Sequence, residues 1–185
     1  MTQPADVLVV GGGPVGAGIA TLLARAAAGT AALRVSLLQA AEPAADGRVI
    51  AVSRASEKIL MAAGAWPAIR PHAWPYERMR VWTEGVDPQG QEALQFDAAE
   101  VGEPNLGYII ETRQVTTALL DSFAAAGGQV IAGELQGLSG AASDGNLVRL
   151  QTSAGELAAQ LVVGADGARS AVRSAFGIQA RTANY

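Results

Sequence analysis

Residues Asp6 to Gly16 read DVLVVGGGPVG, and this stretch determines the class of fold. A short β-branched strand runs directly into three glycines, and Pro14 then begins a helix. Proline is favoured at a first helical position because it has no N–H to leave unpaired. The pattern therefore predicts a strand over 6–10 and a helix over 14–28.

A second strand over 34–39 follows this helix, so the first part of the chain has the order strand, glycine turn, helix, strand. This order is typical of a βαβ unit, in which the two strands are parallel and the crossover is right-handed. We therefore predict an α/β fold built on a parallel sheet.

The glycines are spaced as Gly11-x-Gly13-x-x-Gly16, directly between the strand and the helix. In a dinucleotide site the first glycine permits the tight turn, the second lets the backbone approach a pyrophosphate, and the third lets the helix pack on the strand. The N-terminus of the helix, with Pro14 and Val15, would present unpaired N–H groups and a partial positive charge to the phosphates. The alternative is that these glycines serve packing alone.

The end of the second strand is where such a fold places an acidic ligand for a ribose. Gln39 occupies this position, and Glu42 follows three residues later. The amide oxygen of a glutamine can still accept a hydrogen bond from a ribose hydroxyl, although without the strength of a carboxylate. The alternative is that Gln39 is an ordinary polar residue at a strand end.

The middle of the chain carries mixed signals. We predict a helix over 53–63 with Ile59 and Leu60 on its apolar side. Three following prolines should break any helix: they are Pro67, Pro71 and Pro75.

Alternating residues over 78–84 and 91–97 around an Asp-Pro-Gln-Gly turn predict a β-hairpin, with a third strand over 106–110. The block 72–110 thus reads as an antiparallel insertion. The remaining signals predict a helix from Thr112 that ends at two glycines, and then three strands and a short helix: strands over 129–132, 147–152 and 156–163, and a helix over 170–176.

The last of these strands leads into Gly164-Ala165-Asp166-Gly167. Ligands of open α/β sheets bind beside the carboxyl ends of the strands, so Asp166 and Gly167 are candidates for a site. The alternative is that Asp-Gly forms only a turn.

Composition excludes several classes of protein. The chain has 185 residues, a net charge of −4, 50% hydrophobic residues, no cysteine and one histidine. These values argue against a disordered chain, a disulfide scaffold, a thiolate metal site and a general nucleic-acid binder. His72 lies in a proline-rich stretch, where we expect an exposed loop, and no spacing suggests a metal site or a protein acid, base or nucleophile. Trp66, Trp74, Trp82 and Phe96 are expected to pack in the core and hairpin.

Taken together, the motifs resemble the FAD-dependent aromatic hydroxylases, the single-component flavoprotein monooxygenases of the para-hydroxybenzoate hydroxylase fold. The resemblance lies in the glycine motif, in Asp46-Gly47-Arg48 before a helix, and in VVGADGARSAVR over 162–173. The middle block resembles the ubiquinone-biosynthesis branch, as does the closing Thr182-Ala183-Asn184-Tyr185: its matching residues are 75–82, 96–98 and 106–111.

The resemblance implies a Rossmann-like FAD-binding domain interrupted by the first β segment of a substrate domain. We expect FAD-binding parts over 1–71 and 111–178, the inserted segment over 72–110, and the start of a truncated substrate domain over 179–185.

It also implies roles for individual residues. The glycine loop would hold the FAD pyrophosphate, Gln39 would meet the adenosine ribose, and Arg48 would lie near the flavin. Arg113 would contact the cofactor, although Thr112 departs from the asparagine usual before it. Asp166 would support the ribose and pyrophosphate region. The expected cofactor-binding set is Gly11, Gly13, Pro14, Val15, Gly16, Gln39, Arg48, Arg113, Asp166 and Gly167, with no catalytic side chain and no metal ligand.

In this family NAD(P)H reduces FAD, and the cofactor then uses O2 to hydroxylate an electron-rich ring. We therefore expect hydroxylation of a phenol of the 2-polyprenylphenol type, in ubiquinone biosynthesis, by a cytoplasmic protein. Peripheral contact with a membrane and homo-oligomer formation through unpaired sheet edges are further expectations.

Members of the family run well beyond this length and carry a Gly-Asp motif that has no counterpart after Arg173. We therefore expect an N-terminal portion that retains the FAD scaffold, binds FAD poorly or not at all, and has no turnover. Two other classes stay open. A nicotinamide-dependent dehydrogenase would need a catalytic Tyr/Lys pair or His, which Lys58, the sole lysine, is poorly placed to supply. A non-catalytic interaction module would bind no cofactor.

Overall fold

The computed structural model describes residues 3–27, 33–40, 47–139, 147–181 and 183. The chain divides into two compact units. Unit 1 comprises Met1–Asp46 and Thr116–Tyr185, and unit 2 comprises Gly47–Val115. No helix within the described ranges is long and apolar enough to cross a membrane.

The described strands, in chain order, are β1 (Ala5–Val10), β2 (Val35–Gln39), β3 (Val49–Ser53), β4 (Trp74–Tyr76), β5 (Arg78–Val81), β6 (Leu94–Asp97), β7 (Gly107–Glu111), β8 (Gln129–Ala132), β9 (Leu135–Leu138), β10 (Val148–Thr152) and β11 (Gly155–Gly164). The described α-helices are α1 (Pro14–Ala27), α2 (Arg54–Ala62), α3 (Trp66–Ile69), α4 (Thr112–Ala125) and α5 (Ala171–Ala175).

Unit 1 contains a six-stranded sheet in the order β8-β2-β1-β11-β10-β9. The first four strands of this order are parallel, and β10 and β9 continue the sheet in antiparallel fashion. The α/β class and the parallel β1–β2 pair are therefore confirmed. β9 was not predicted, because its short run, LQGL, has weak strand character and a glycine in it.

The central strand β1 is buried on both faces of the sheet. Val7 and Val9 lie in a core cluster with residues of α1 and with Phe123 of α4. Leu8 and Val10 belong to the cluster on the other face, which includes Val172 of α5. A parallel strand covered on both sides reads as a continuous apolar run, and this is why β1 was recognisable in the sequence.

Unit 2 has two separate sheets. One has the order β3-β7-β4, and the other is the two-stranded hairpin β5–β6. The predicted third strand, 106–110, corresponds to β7, which pairs antiparallel with β3 and β4. The prediction of antiparallel strands in this part of the chain is therefore confirmed, although the hairpin and β7 belong to separate sheets. Unit 2 begins at Gly47, before the inserted segment expected over 72–110, because β3, a strand that the sequence did not indicate, pairs with β7.

The prediction that the prolines exclude helix was wrong for two of them. Pro67 lies in the first turn of α3, and Pro71 lies in the first turn of a 3-10 helix over Arg70–His72. Proline is compatible with a first turn because no intrahelical partner exists there for an N–H. Helices of three or four residues fit between prolines in this way.

Helix α2 begins after Ser53, whose hydroxyl accepts a hydrogen bond from the Ser56 N–H, as expected of a helix cap. Leu60 is buried as predicted, but Ile59 is 53% exposed, so its placement on the apolar side was wrong. Glu57 is buried instead.

The Glu57 carboxylate accepts a hydrogen bond from Arg54, which also forms an ion pair with Glu103 at 3.4 Å. The Nη1 atom of Arg54 that donates to Glu57 also donates to the Tyr108 hydroxyl at 3.1 Å. The ring of Tyr108 in turn meets the Trp66 indole edge-on, with 5.1 Å between ring centroids. Arg54 thus neutralises a buried carboxylate and joins α2 to β7.

We predict that Arg54→Met destabilises the chain by about 2–3 kcal/mol, because Glu57 is left buried without a counter-charge. Urea unfolding at pH 7 measures this loss. Glu103→Gln is the matched control, since it removes a half-exposed partner of the same arginine and should cost less than about 1 kcal/mol. Equal losses for both variants would contradict the interpretation.

Candidate functional site

The glycine loop between β1 and α1 is held by both neighbouring strands of β1. The Gly11 N–H donates to the Leu38 carbonyl at 2.9 Å, and the Ala165 N–H donates to the Val10 carbonyl at 2.7 Å. The loop therefore lies at the carboxyl ends of three parallel strands, where open α/β sheets bind ligands.

Two glycines of the motif are required by close approach. Gly11 has φ +112°, and a Cβ atom there would lie 2.3 Å from the Ala165 carbonyl oxygen. A Cβ atom on Gly16 would lie 1.9 Å from the Gly11 carbonyl oxygen. No side chain fits at either position, so these glycines let α1 and the end of β11 meet the turn.

Gly13 differs, because a Cβ atom there would meet nothing within 4 Å. Packing among the described residues therefore does not explain a glycine at this position. The space that a side chain would fill lies at the N-terminus of α1, where the first N–H groups have no intrahelical partner. Pro14 is half-buried, and the Val15 side chain is 69% exposed beside it.

Gln39 ends β2 beside this loop. Its side chain lies over Gly12, where a Cβ atom would come within 2.5 Å of the glutamine Cγ and Cδ atoms. The Oε1 atom of Gln39 is buried and has no hydrogen-bond partner among the described residues. An unpaired buried acceptor is costly, so this atom is suited to a hydroxyl that a ligand brings. Gly12 is a site residue that we missed, although the unbroken run of three glycines was a signal. The alternative ligand Glu42 lies outside the described residues.

Asp166 follows β11 and makes three hydrogen bonds within the protein. Its carboxylate accepts from the Ser170 hydroxyl at 2.6 Å and from the backbone N–H groups of Ala171 and Val172 at 2.6 and 3.1 Å. Burial raises the pKa of Asp166, but the hydrogen bonds from Ser170 and from backbone N–H groups outweigh it, so the pKa lies below its usual value. The carboxylate thus holds the start of α5, and the backbone N of Asp166 lies against Gly11.

An open cavity of about 450 Å³ lies beside Asp166 and Gly167. Val162, Phe176 and Ile178 give it an apolar wall, and Arg173 also lines it. The guanidinium of Arg173 donates to the Ala168 carbonyl at 2.7 Å. Gly167 is exposed.

The two remaining predicted cofactor residues lie together in unit 2. The Thr112 N–H donates to the Arg48 carbonyl at 2.8 Å, so Arg48 and Arg113 come from adjacent positions at the ends of β3 and β7. Both side chains are exposed. The other predicted residues all belong to unit 1, and the structure brings the glycine motif, Gln39 and the Asp-Gly motif to one edge of its sheet.

His72 is exposed, as expected. Trp66 is buried, as expected of a core residue. Phe96 lies in the hairpin strand β6, also as expected, but it is 44% exposed. Trp74 and Trp82 are 77% and 50% exposed, so the expectation that they are packed was wrong.

A βαβ unit whose glycine turn lies open at a helix N-terminus, beside an unpaired acceptor, defines a protein that binds a dinucleotide. Comparison with known families makes the assignment specific. The family model described as FAD binding domain matches residues 4–185, and the chain belongs to this family.

Two curated relatives are similar along nearly the whole chain. The 3-demethoxyubiquinol 3-hydroxylase of Escherichia coli (strain K12) is 33% identical over 195 aligned residues, which cover 99% of this chain and 46% of the relative. The ubiquinone hydroxylase UbiL of Rhodospirillum rubrum is 34% identical over 196 residues, covering 98% and 41%. The chain therefore spans less than half the length of the curated relatives it matches.

Solved structures agree on the fold. The flavin-dependent monooxygenase PieE, in complex with FAD and substrate, matches with a TM-score of 0.76 and 21% identity over 97% of this chain and 33% of its own. The p-nitrophenol 4-monooxygenase PnpA from Pseudomonas putida DLL-E4 matches with a TM-score of 0.75 and 22% identity over 97% and 45%.

The site fits the adenosine diphosphate half of FAD. The open space at Gly13 would receive the pyrophosphate at the N-terminus of α1, and the unpaired Oε1 atom of Gln39 would accept a ribose hydroxyl. Both features are otherwise unexplained by contacts among the described residues.

We predict that Gly13→Ala and Gly16→Ala have opposite effects. Gly13→Ala should change the unfolding free energy by less than about 0.5 kcal/mol but weaken ADP binding by about tenfold or more, because the methyl group fills ligand space. Gly16→Ala should cost at least about 2 kcal/mol of stability, because no room exists for the methyl group. Urea unfolding and calorimetric titration with ADP measure both. If the Gly13→Ala chain binds ADP as tightly as wild type, the pyrophosphate does not occupy the space at Gly13.

We predict that Asp166→Ala costs about 1–2 kcal/mol at pH 7, as does loss of a helix cap. Because the pKa of this carboxylate is lowered in the folded state, its contribution is fully present above the unfolded value of 3.8. The contribution is lost as the pH falls through the lower folded value. Urea titrations from pH 7 to pH 3 should show the difference between wild type and variant shrinking below about pH 4.

The control is Asp166→Asn, which keeps an acceptor but removes the charge. Its smaller loss should also fade at low pH, because the wild-type carboxylate itself becomes neutral there. A difference that grows as the pH falls would show that the assigned direction is wrong.

Proposed function

We propose that this chain carries the adenosine-diphosphate-binding part of an FAD-dependent monooxygenase that hydroxylates a phenolic ring, in the manner of ubiquinone-biosynthesis hydroxylases. The observation that carries the proposal is the pairing of the open space at Gly13 with the unpaired acceptor of Gln39. Family membership and the two ubiquinone-hydroxylase relatives support the reaction class.

In this proposal the backbone does most of the binding. N–H groups in the first turn of α1 donate to the pyrophosphate, and the helix dipole favours its negative charge. The Gln39 amide oxygen accepts one ribose hydroxyl. Because an amide carries no charge, this contact should be weaker than that of a carboxylate.

Asp166 has a positioning role in this proposal. Both of its carboxylate oxygens are engaged by Ser170 and by the start of α5, so the side chain holds the turn after β11. The backbone of this turn lies against Gly11. Asp166 would therefore act on the cofactor site indirectly, by fixing the position of the glycine loop. Arg48 and Arg113 are proposed to contact FAD, as the sequence resemblance implies.

When bound, FAD would supply the redox chemistry. The proposed hydroxylation inserts one oxygen atom of O2 into a ring C–H bond and reduces the other oxygen atom to water. The two electrons come from NAD(P)H, which leaves as NAD(P)+ with uptake of one proton. The protein's part is to bind, to orient and to exclude water.

The proposed substrate is a small phenolic ring with a polyprenyl tail, and contact with a membrane surface would give access to such a substrate. The two ubiquinone-hydroxylase relatives and the sequence resemblance support both points. We propose no turnover for the 185 residues alone, since they match less than half of each relative.

The test uses ADP with the 185-residue chain, because the expected poor binding concerns the whole of FAD, whereas the proposed site holds only its adenosine diphosphate half. Gln39→Leu should weaken ADP binding about five- to tenfold through loss of one hydrogen bond, and Gln39→Glu should strengthen it by a few-fold. Gln151→Leu is the matched control, because Gln151 is an exposed glutamine of β10 away from the loop.

Calorimetric titration measures these affinities. Binding of ADP that is equal in all four chains, or absent in all four at millimolar ADP, would overturn the proposed site. Turnover of NAD(P)H with a hydroxylated phenol as product, from the 185 residues alone, would overturn the statement on activity but not the site.

A further inference from the structure

The side chain of Gln39 offers the proposed adenosine diphosphate site an acceptor that the protein itself does not use. Its Oε1 atom is buried and has no hydrogen-bond partner among the described residues. The backbone carbonyl of the same residue, in contrast, accepts from the Gly133 N–H at 2.8 Å. Gln39 is therefore held through its backbone, while its side-chain oxygen remains unsatisfied.

Packing against the glycine loop determines where this side chain lies. A Cβ atom on Gly12 would lie 2.5 Å from Cγ and Cδ of Gln39 and 2.6 Å from its Oε1 atom, so only glycine leaves room for the amide. The residue as a whole is half-buried, and the last side-chain torsion of a glutamine has a broad preference. The amide can therefore turn towards a ligand while the rest of the side chain stays over Gly12.

An acceptor oxygen at this point distinguishes between two kinds of adenine nucleotide. In folds of this class the end of the second strand lies at the 2′ position of the adenosine ribose. A 2′-hydroxyl has a proton to donate to Oε1, whereas a 2′-phosphate near pH 7 carries close to two negative charges and offers acceptors. The first group satisfies the buried oxygen, and the second leaves it unpaired beside a like partial charge.

Rotation of the amide would not make the site suitable for a 2′-phosphate. The Nε2 atom could donate a hydrogen bond, but sites for this phosphate supply a positively charged arginine near the strand end. Over residues 35–47 the sequence has two carboxylates and no basic residue. Arg34 lies before the opposite end of β2, and its guanidinium is paired with Asp6 at 3.5 Å.

The glycine loop and its other neighbouring strand do not supply this cation either. Residues 11–16 contain no basic side chain. β2 and β11 are the two neighbours of β1 in the sheet, so the arginines that follow β11 come from the side of β1 away from Gln39. One of them, Arg173, donates to the Ala168 carbonyl at 2.7 Å.

We propose that Gln39 is a specificity-determining residue, which restricts the site to adenine nucleotides with a free 2′-hydroxyl and excludes nucleotides with a 2′-phosphate. This inference rests on the proposed function, because it requires that adenosine diphosphate binds at the glycine loop. It has a consequence for the nicotinamide nucleotides of the proposed reaction. NADH carries the same adenosine diphosphate group as FAD and can compete for this site, whereas NADPH cannot.

Calorimetric titration of the 185-residue chain with NADH and with NADPH is the first test, because these ligands differ only in the 2′-phosphate. We expect NADH to bind at least about tenfold more tightly. Gln39→Leu should reduce this ratio to about threefold or less, because the loss of Oε1 removes both the acceptor for the hydroxyl and the repulsion of the phosphate. Gln151→Leu, at an exposed glutamine of β10, should keep the wild-type ratio.

A positive charge at the same position should reverse the preference. In Gln39→Arg the guanidinium would pair with the 2′-phosphate, so NADPH should bind more tightly than NADH. Gln151→Arg is the matched control for the added charge and should still prefer NADH.

Titration with ADP and with 2′-deoxy-ADP tests whether the contact is made at the 2′ position. Loss of the hydroxyl should weaken binding about five- to tenfold in wild type, through loss of one hydrogen bond. In Gln39→Leu it should weaken binding by less than about twofold, because that hydrogen bond is already absent. Circular dichroism checks that each variant is folded.

The possible results separate this inference from the proposed function. If ADP binds and NADPH binds as tightly as NADH, the inferred selectivity is overturned and the proposed site stands. An unchanged preference for NADH in Gln39→Leu would overturn the assignment to Gln39, as would an equal effect of the 2′-deoxy group in both chains. Failure of both ADP and NADH to bind at millimolar concentrations would overturn the inference together with the proposed site.

Discussion

The structure of unit 1 depends on a close backbone contact between the turn after β1 and the end of β11. Gly11 lies so near the Ala165 carbonyl and the Asp166 N–H that no Cβ atom fits, and Gly16 lies equally near Gly11. These contacts hold α1 close against the sheet and fix the position of its N-terminus. The location of the proposed pyrophosphate site, the position of Gln39 and the cap of α5 all follow from this geometry, because each is built on one of the three strands that meet there.

The glycines of the loop have three different physical roles. Gly11 and Gly16 satisfy the packing of the protein, Gly12 makes room for the side chain of Gln39, and Gly13 leaves space that only a ligand would use. The unpaired Oε1 atom of Gln39 and the open space at Gly13 share one property: contacts among the described residues explain neither of them. In the proposed site, the Gln39 amide would make a weaker hydrogen bond with a ribose hydroxyl than a carboxylate would.

The parts of the fold that depend on local sequence were predictable, and the parts that depend on distant partners were not. The unit β1–α1–β2 and the motif glycines follow from an apolar run, a proline and a glycine spacing within one stretch. β3 was missed because its pairing with β7 joins segments about sixty residues apart. Glu57 was not expected in the core, since its burial depends on Arg54 and on Tyr108, which arrives from β7. The glycine motif, Gln39 and the Asp-Gly motif could be named as candidates from the sequence, whereas the Gly12–Gln39 contact could not, because it depends on the three-dimensional arrangement.

We infer that one edge of the unit 1 sheet receives adenosine diphosphate. Two-dimensional amide NMR of the 15N-labelled chain during titration with ADP tests this inference most directly. We expect the largest shifts on the backbone amides of 11–17 and on the side-chain amide of Gln39, with little change in β9 and β10. Shifts confined to the cavity beside Phe176 and Ile178, or shifts spread evenly over the chain, would contradict it.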